Sequence, residues 1–150
     1  MSTTTEVQGP GPSGPFVVAA FMCDEIAIHK NGPRVDYIGA RELLELPPQG
    51  PLALKGALAL KFARGTGPGT FVVQARLIGP RGPIGVPLQA RVTFRPQIGL
   101  TTSCNIALRL EVTEPGVHLF EIRAEDQVVT ISPFQVFPHG FLTGGTVKKH

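Results

Sequence analysis

Large apolar side chains alternate with polar or small ones through most of the chain after residue 51. A period of two puts every second side chain on the same side of an extended strand, so each run predicts a half-buried β-strand. The side chains predicted to face the core are Leu52, Leu54, Leu58, Leu60, Phe62, Phe71, Val73, Ala75, Leu77, Val86, Leu88, Ala90, Val92, Phe94, Ile106, Leu108, Leu110, His118, Phe120, Ile122 and Ala124. The charged residues between them are predicted to face the solvent.

The chain before residue 52 predicts one hairpin and one short helical turn. Residues 16–29 are extended and apolar, and Asn31-Gly32 is a dipeptide that type I′ turns prefer, so residues 34–39 are predicted to return as the partner strand. Residues 41–46 have the composition of a helical turn that ends at Pro47-Pro48. In the last strand, Pro133 predicts a bulge or a sheet edge.

About eight short strands, with turn residues between them and no helix of ordinary length, predict an all-β protein. We expect a single antiparallel β-sandwich of about 7–9 strands, with a barrel as the alternative. The sandwich domain is expected to span residues 16–142. Residues 1–15 and 143–150 offer little to bury, and we expect a disordered, flexible Gly/Pro-rich arm and a short flexible tail there.

The composition fits one globular domain of 150 residues. The longest uncharged apolar run, residues 14–23, is shorter than the roughly 18 residues of a membrane span, so no membrane partner is expected. The first residues lack the features of a secretion signal, which favours a cytoplasmic location. We therefore expect Cys23 and Cys104 to be small buried side chains without a disulfide.

The charges are unevenly distributed along the chain. Between Leu46 and Leu110 there is no acidic residue but there are eight cations: Lys55, Lys61, Arg64, Arg76, Arg81, Arg91, Arg95 and Arg109. Folding either interleaves these cations with acids from the flanking segments as ordinary ion pairs, or it gathers some of them on a face that attracts an anionic partner.

Candidate chemistry is sparse. The nearest approach to a ligand cluster is Asp24, Glu25 and His29, but strand parity puts Asp24 on the opposite side from the other two, so no metal and no cofactor is expected. His118 has the parity of a core or rim histidine. No nucleophile or phosphate-loop motif occurs, and we expect no enzyme. A small-ligand or catalytic site converging in space around Asp24, Glu25, His29 and His118 is the alternative.

Binding to nucleic acid is a second alternative, because the calculated isoelectric point is about 9.2. The chain has no tryptophan and one tyrosine, so aromatic platforms for single strands are not expected. Contacts with the phosphate backbone of a duplex would be the remaining mode.

Several short motifs carry a family resemblance: Phe21-Met-Cys-Asp-Glu25, Asn31-Gly32-Pro33 and Tyr37-Ile38-Gly39 near the start, and Glu114-Pro-Gly116 leading to Phe120-Glu-Ile122 near the end. Over residues 16–137 the layout resembles a family of small uncharacterised bacterial proteins, a domain of unknown function. The resemblance implies an immunoglobulin-like or similar β-sandwich without an established activity.

A sandwich pattern without a catalytic motif favours a non-enzymatic protein-binding or assembly module. Only 17% of residues are charged, where about 25% is usual, and such a surface often meets another protein. If the second, fourth and fifth sandwich strands share a sheet, a basic face on it would engage an anionic or acidic partner. The residues predicted for that face are Lys55, Lys61, Arg91, Arg95 and Arg109. Self-association through edge strands or the arm is also open.

Overall fold

The chain is all-β, as predicted. The computed structural model describes residues 14–30, 35–66, 69–94 and 101–142. Within these residues there are ten strands: β1 (Phe16–Cys23), β2 (Glu25–Ile28), β3 (Val35–Ile38), β4 (Leu43–Glu45), β5 (Leu52–Ala63), β6 (Thr70–Gly79), β7 (Gly82–Thr93), β8 (Thr101–Val112), β9 (Gly116–Ala124) and β10 (Gln127–Phe137). Most of the predicted arm, the tail and the Asn31-Gly32-Pro33 turn lie outside the described residues.

The strands form two main sheets and one separate hairpin. The five-stranded sheet has the order β4-β10-β9-β6-β7, and the three-stranded sheet has the order β1-β5-β8. All their neighbouring strands are antiparallel except β4 and β10, which are parallel. Of the seven long strands, the first, second and fifth therefore share one sheet, and the other four share the second sheet.

A single core lies between the two sheets. Phe62 from β5 and Phe71 from β6 are fully buried there, with ring centroids 5.1 Å apart at an interplanar angle of 79°. The predicted inward side chains line this core or pack against it, with one exception. Val86 is 76% exposed. The register of β6 and β7 shifts beside it, so that the single residue Arg76 faces a bulge of three residues in β7, and the inward alternation fails there.

The predicted helical turn at residues 41–46 is wrong, because this segment contains the short strand β4. The backbone N–H of Gln135 donates to the Glu42 carbonyl at 2.8 Å, and that of Leu46 donates to the Phe137 carbonyl at 2.9 Å. Pairing with the open edge of β10 also buries Leu44 to 5% exposure. A contact between distant parts of the chain thus overrides a local helical preference.

The prediction for Pro133 is confirmed. Pro133 lies just before the segment of β10 that pairs with β4, so its side of the strand is a sheet edge. The register of β9 and β10 also shifts between Ile122 and Arg123, which leaves Val129 as an extra residue in β10. No helix among the described residues is long and apolar enough to cross a membrane.

The predicted N-terminal hairpin is confirmed for β2 and β3. The first half of its predicted first strand is instead β1, which pairs with β5, and the chain leaves the three-stranded sheet at Asp24. The Asp24 backbone N–H donates to the Ile38 carbonyl at 2.9 Å, and the Asp24 carboxylate is paired with the Arg41 guanidinium. Phe21 of β1 contacts Tyr37 of β3 edge to face, with ring centroids 5.1 Å apart. These contacts fix the hairpin beside the outer face of the three-stranded sheet.

Candidate functional site

The outer face of the three-stranded sheet carries three of the predicted basic residues. The leucines and Phe62 of β5 point into the core, so Lys55 and Lys61 point outward. In the antiparallel register Lys55 lies directly opposite Arg109 of β8, and Lys61 lies opposite Ser103. We call Lys55, Lys61 and Arg109 the cationic face.

The cationic face has two positively charged ends, one with Lys55 and Arg109 and the other with Lys61. Side chains directly opposite each other have Cβ atoms about 5 Å apart, so Lys55 and Arg109 form one close pair of like charges. Lys61 lies six residues further along β5, about 20 Å away at the usual rise of a strand. Glu111 is the acidic residue that the described strands place on this face, diagonal to Lys55. No ion pair joins Glu111 to these cations.

Small side chains and one amide lie between the two ends. The outward positions there hold Ala57 and Ala59 of β5 and Ala107 and Asn105 of β8. Ala107 and Asn105 are exposed, whereas Ala59 is covered and only 2% exposed. Phe21, which the register places beside Ala59, forms an aromatic border along β1 together with Tyr37, which is 37% exposed. The exposed side of β8 between the ends thus offers a partner one small side chain and one amide, and the aromatic border adds apolar contact area.

The prediction that Arg91 shares this face is wrong. Arg91 lies on β7, in the five-stranded sheet. The physical reason is the two-residue connection between β6 and β7, which makes them a hairpin and keeps β7 beside β6. The turn residues at 79–83 are a sequence signal of this hairpin. The prediction for the basic face instead assumed an immunoglobulin strand order in which the fourth strand lies in the other sheet. Arg95 lies outside the described residues.

The cations of the basic stretch form few ion pairs with acids in the part of the chain described. Among those that the structure describes between residues 46 and 110, Arg81 alone has an ion pair with a described acid, from its Nε to Glu114 Oε2 at 2.9 Å. The other ion pairs of the described chain use cations from outside this stretch. The cationic face therefore keeps its charge available to a partner.

The alternative site does not assemble in the part of the chain described. Asp24 is bound by Arg41, and His29 Nε2 lies 2.9 Å from Asp36 Oδ2 on the exposed hairpin. His118 is fully buried between the main sheets, where its Nδ1 lies 3.0 Å from the Gly116 carbonyl oxygen. Its Nε2 has no partner among described atoms, so the predicted core histidine is only half satisfied. No group of three metal-ligating side chains occurs within the described ranges.

Sequence reasoning missed Gly56, which lies next to Lys55 in β5. Its φ is +99°, and a Cβ atom there would lie 2.2 Å from the Cys23 carbonyl oxygen. The absence of a side chain thus lets the chain at Cys23 and Asp24 pass directly against β5. A single glycine inside an alternating strand was the available signal, since it often marks a close approach of another backbone.

Both cysteines are free and buried, as predicted. Burial raises the pKa of the Cys104 thiol and of the Cys23 thiol; at Cys23 a backbone hydrogen bond at Glu25 opposes the rise and the Asp24 charge adds to it. Cys23 points to the outer face and Cys104 to the core, so they belong to opposite sides of one sheet.

We expect these thiols to react slowly in the native protein, because only the thiolate is nucleophilic and both groups are shielded. At pH 8, modification by a thiol reagent should be slow in buffer and complete in denaturant, as followed by mass spectrometry. Since the native pKa is raised, the unfolded chain loses these protons first, and stability should fall as pH rises above the usual thiol pKa of about 8.5. A Cys23→Ala/Cys104→Ala variant should lose this part of the alkaline dependence; equal dependence would contradict the assignment.

Comparisons with known proteins give no family. No family model and no curated protein matches the chain. A β-glucosidase from Listeria innocua in complex with glucose is 14% identical, with a TM-score of 0.42 over 65% of this chain and 15% of that chain. The Pseudomonas fluorescens alkylpurine DNA glycosylase AlkC, bound to DNA containing an abasic site analog, is 11% identical, with a TM-score of 0.43 over 87% of this chain and 33% of that chain. Likenesses this low carry no argument about function.

Proposed function

We propose that this chain is a non-enzymatic protein-binding module with an immunoglobulin-like β-sandwich, and that its cationic face holds an acidic segment of another protein. The strand order supports the immunoglobulin-like part, because the first, second and fifth long strands share one sheet. The single observation that carries the binding function is that Lys55, Lys61 and Arg109 share an outer face without an ion pair to any described acid.

Electrostatics favours a partner with acids at both ends of the face. The Debye length is about 10 Å at 0.1 M salt, roughly half the separation of Lys61 from the Lys55 and Arg109 pair, so each end acts as a separate anchor. An extended segment with carboxylates six residues apart matches the spacing of Lys55 and Lys61. Such a segment can lie along the exposed side of β8 between the two ends, whereas a small molecule needs a concave pocket.

The proposal is tested with a labelled peptide that carries glutamates six residues apart, with binding followed by fluorescence polarisation. Reversal of the close pair in Lys55→Glu/Arg109→Glu should weaken binding about tenfold or more, and binding by the unmodified protein should weaken as salt is added. All the altered side chains are exposed, so the melting temperature should stay near that of the unmodified protein.

The matched control is Arg76→Glu/Arg91→Glu, which makes the same change of charge on the other sheet. This variant should bind the peptide with nearly unchanged affinity. Equal losses in the two variants would show attraction by net charge alone and overturn the proposed face. The protein could instead bind duplex DNA more tightly than the peptide, with this binding lost in Lys55→Glu/Arg109→Glu. That result would show that the partner of the cationic face is a phosphate backbone and not an acidic protein segment.

A further inference from the structure

Among the described residues, the two main sheets end in four edge strands, β4 and β7 in one sheet and β1 and β8 in the other. β4 has only three residues, and β7 carries two prolines and a bulge, so both are poor templates for a further strand. The outer edge of β1 is partly occupied. The Ala20 carbonyl accepts from the Ser132 hydroxyl at 3.2 Å. The Met22 carbonyl accepts from the Arg41 backbone N–H at 3.0 Å. Three of the four edges are thus protected.

The fourth edge strand, β8, has none of these protections. It is 12 residues long, contains no proline and pairs with β5 without a register shift. Within the described ranges its other side pairs with no strand and takes no backbone hydrogen bond from a turn or loop. Alternate residues of an antiparallel strand direct their N–H and C=O groups away from the partner, so about six residues of β8 present both groups at the open edge. Such an edge is a template for a strand of another molecule.

The charges beside this edge fit the acidic segment of the proposed function. A residue directly opposite Arg109 on an added strand would have its Cβ about 5 Å from that of Arg109, and Lys55 lies opposite Arg109 on the other side. In an antiparallel strand, the residue six positions later would lie opposite Ser103, whose other neighbour is Lys61. Acids at these two positions would therefore each meet one end of the cationic face.

The other residues of β8 define the rest of the partner's pattern. Glu111 is exposed and would lie opposite the residue two positions before the first acid, which favours a cation there. On the core side, Leu110 is only half-buried, and its Cδ2 lies 3.6 Å from the place of a Cβ atom on Gly85 of β7. The next residue of β7, Val86, is 76% exposed. Apolar side chains at alternate positions of an added strand would cover this open border of the core.

We propose that the acidic partner segment binds as an additional antiparallel strand on the open edge of β8. This inference rests on the proposed function and gives the binding mode of the segment. The segment carries a cation, an acid two residues later and a second acid six residues after the first, with apolar residues at the alternate positions. Main-chain hydrogen bonds hold the strand, and the charges and apolar positions set its register.

Backbone N-methylation of a labelled peptide tests the added strand. The peptide has lysine at its first position, glutamate at the third and ninth, valine at the even positions and threonine elsewhere. One derivative is N-methylated at the fourth and sixth residues, and its matched control at the fifth and seventh. An N-methyl group removes an N–H donor, and alternate residues of a strand direct their N–H groups to opposite sides. One derivative should therefore bind about tenfold or more weakly, and the other should bind nearly as the unmodified peptide does.

The outcomes separate this proposal from the proposed function. Equal effects of the two derivatives overturn the added strand, while loss of binding in Lys55→Glu/Arg109→Glu still supports the cationic face. Unequal effects with unchanged binding in that variant support the added strand and overturn the acidic partner. A peptide that does not bind the unmodified protein overturns both.

Amide hydrogen exchange followed by NMR locates the strand on the protein. Every second amide of β8 should exchange rapidly in the free protein and at least tenfold more slowly with the peptide, whereas amides of the edge strand β7 should not change. Protection of the β8 amides before peptide is added overturns the proposal. If that protection rises with protein concentration, a second copy occupies the edge, and if it does not, another segment of the same chain does.

Discussion

Replacing Gly56 by alanine is expected to lower the free energy of unfolding by about 3 kcal/mol or more. Two costs combine at this position. The φ of +99° is a conformation that residues with a Cβ atom rarely adopt, and the new Cβ would lie 2.2 Å from the Cys23 carbonyl oxygen. That oxygen belongs to backbone, so relief requires β1 and β5 to move apart. Chemical denaturation followed by circular dichroism measures the loss.

Gly82→Ala separates the two costs. Gly82 also has a positive φ, +124°, but nothing lies within 4 Å of the place its Cβ would take. This control should therefore show the conformational cost alone, about 1–2 kcal/mol. If the two variants lose the same stability, the close approach of Cys23 to β5 contributes nothing, and the explanation given for Gly56 fails.

Strand alternation predicted the orientation of most side chains correctly. The inward leucines of β5 and the outward Lys55 and Lys61 follow from a period of two in which one face must leave water. The same holds in β9, where Phe120 is buried although the next residue, Glu121, is charged. These features depend only on the order of residues within one strand, so they can be predicted from the sequence.

The errors concern contacts between distant parts of the chain. β4 exists because β10 offers an open edge about 90 residues later, and nothing within residues 41–46 records that edge. The assignment of Arg91 to the basic face was wrong for a related reason. Alternation shows that Arg91 points outward from its strand, but it does not show which sheet contains that strand. Local pattern gives the face of a strand, and only the pairing gives its neighbours.

For the candidate site, too, the outward orientation of the side chains was predictable and their cross-strand neighbours were not. The outward cations of β5 and β8 were identified, but their direct juxtaposition depends on the register, which pairs Lys55 with Arg109 rather than with Ala107. The aromatic border was not predicted, because Phe21 meets Tyr37 through the kink at Asp24 that Gly56 permits.

Phe62→Ala is expected to cost about 3–5 kcal/mol of folding stability, the usual range for a fully buried phenylalanine. Phe62 is 0% exposed and meets Phe71 edge to face, so the ring joins the three-stranded sheet to the five-stranded sheet. Its removal opens a cavity in the apolar core between the two main sheets. Urea denaturation at constant pH gives the change from the shift in midpoint.

Phe141→Ala makes the same substitution at a ring that is 61% exposed and stacks on Phe137 at 4.7 Å. That contact leaves most of the ring in water, so its loss should cost about 1 kcal/mol or less. The contrast matters for the binding tests. Lys61 is the next residue to Phe62 along β5, so a core defect displaces the cationic face, whereas the Phe141 variant should bind the acidic peptide normally. If Phe62→Ala unfolds no more easily than Phe141→Ala, then the sheets are not held together by this core, and a face defined by their packing loses its basis.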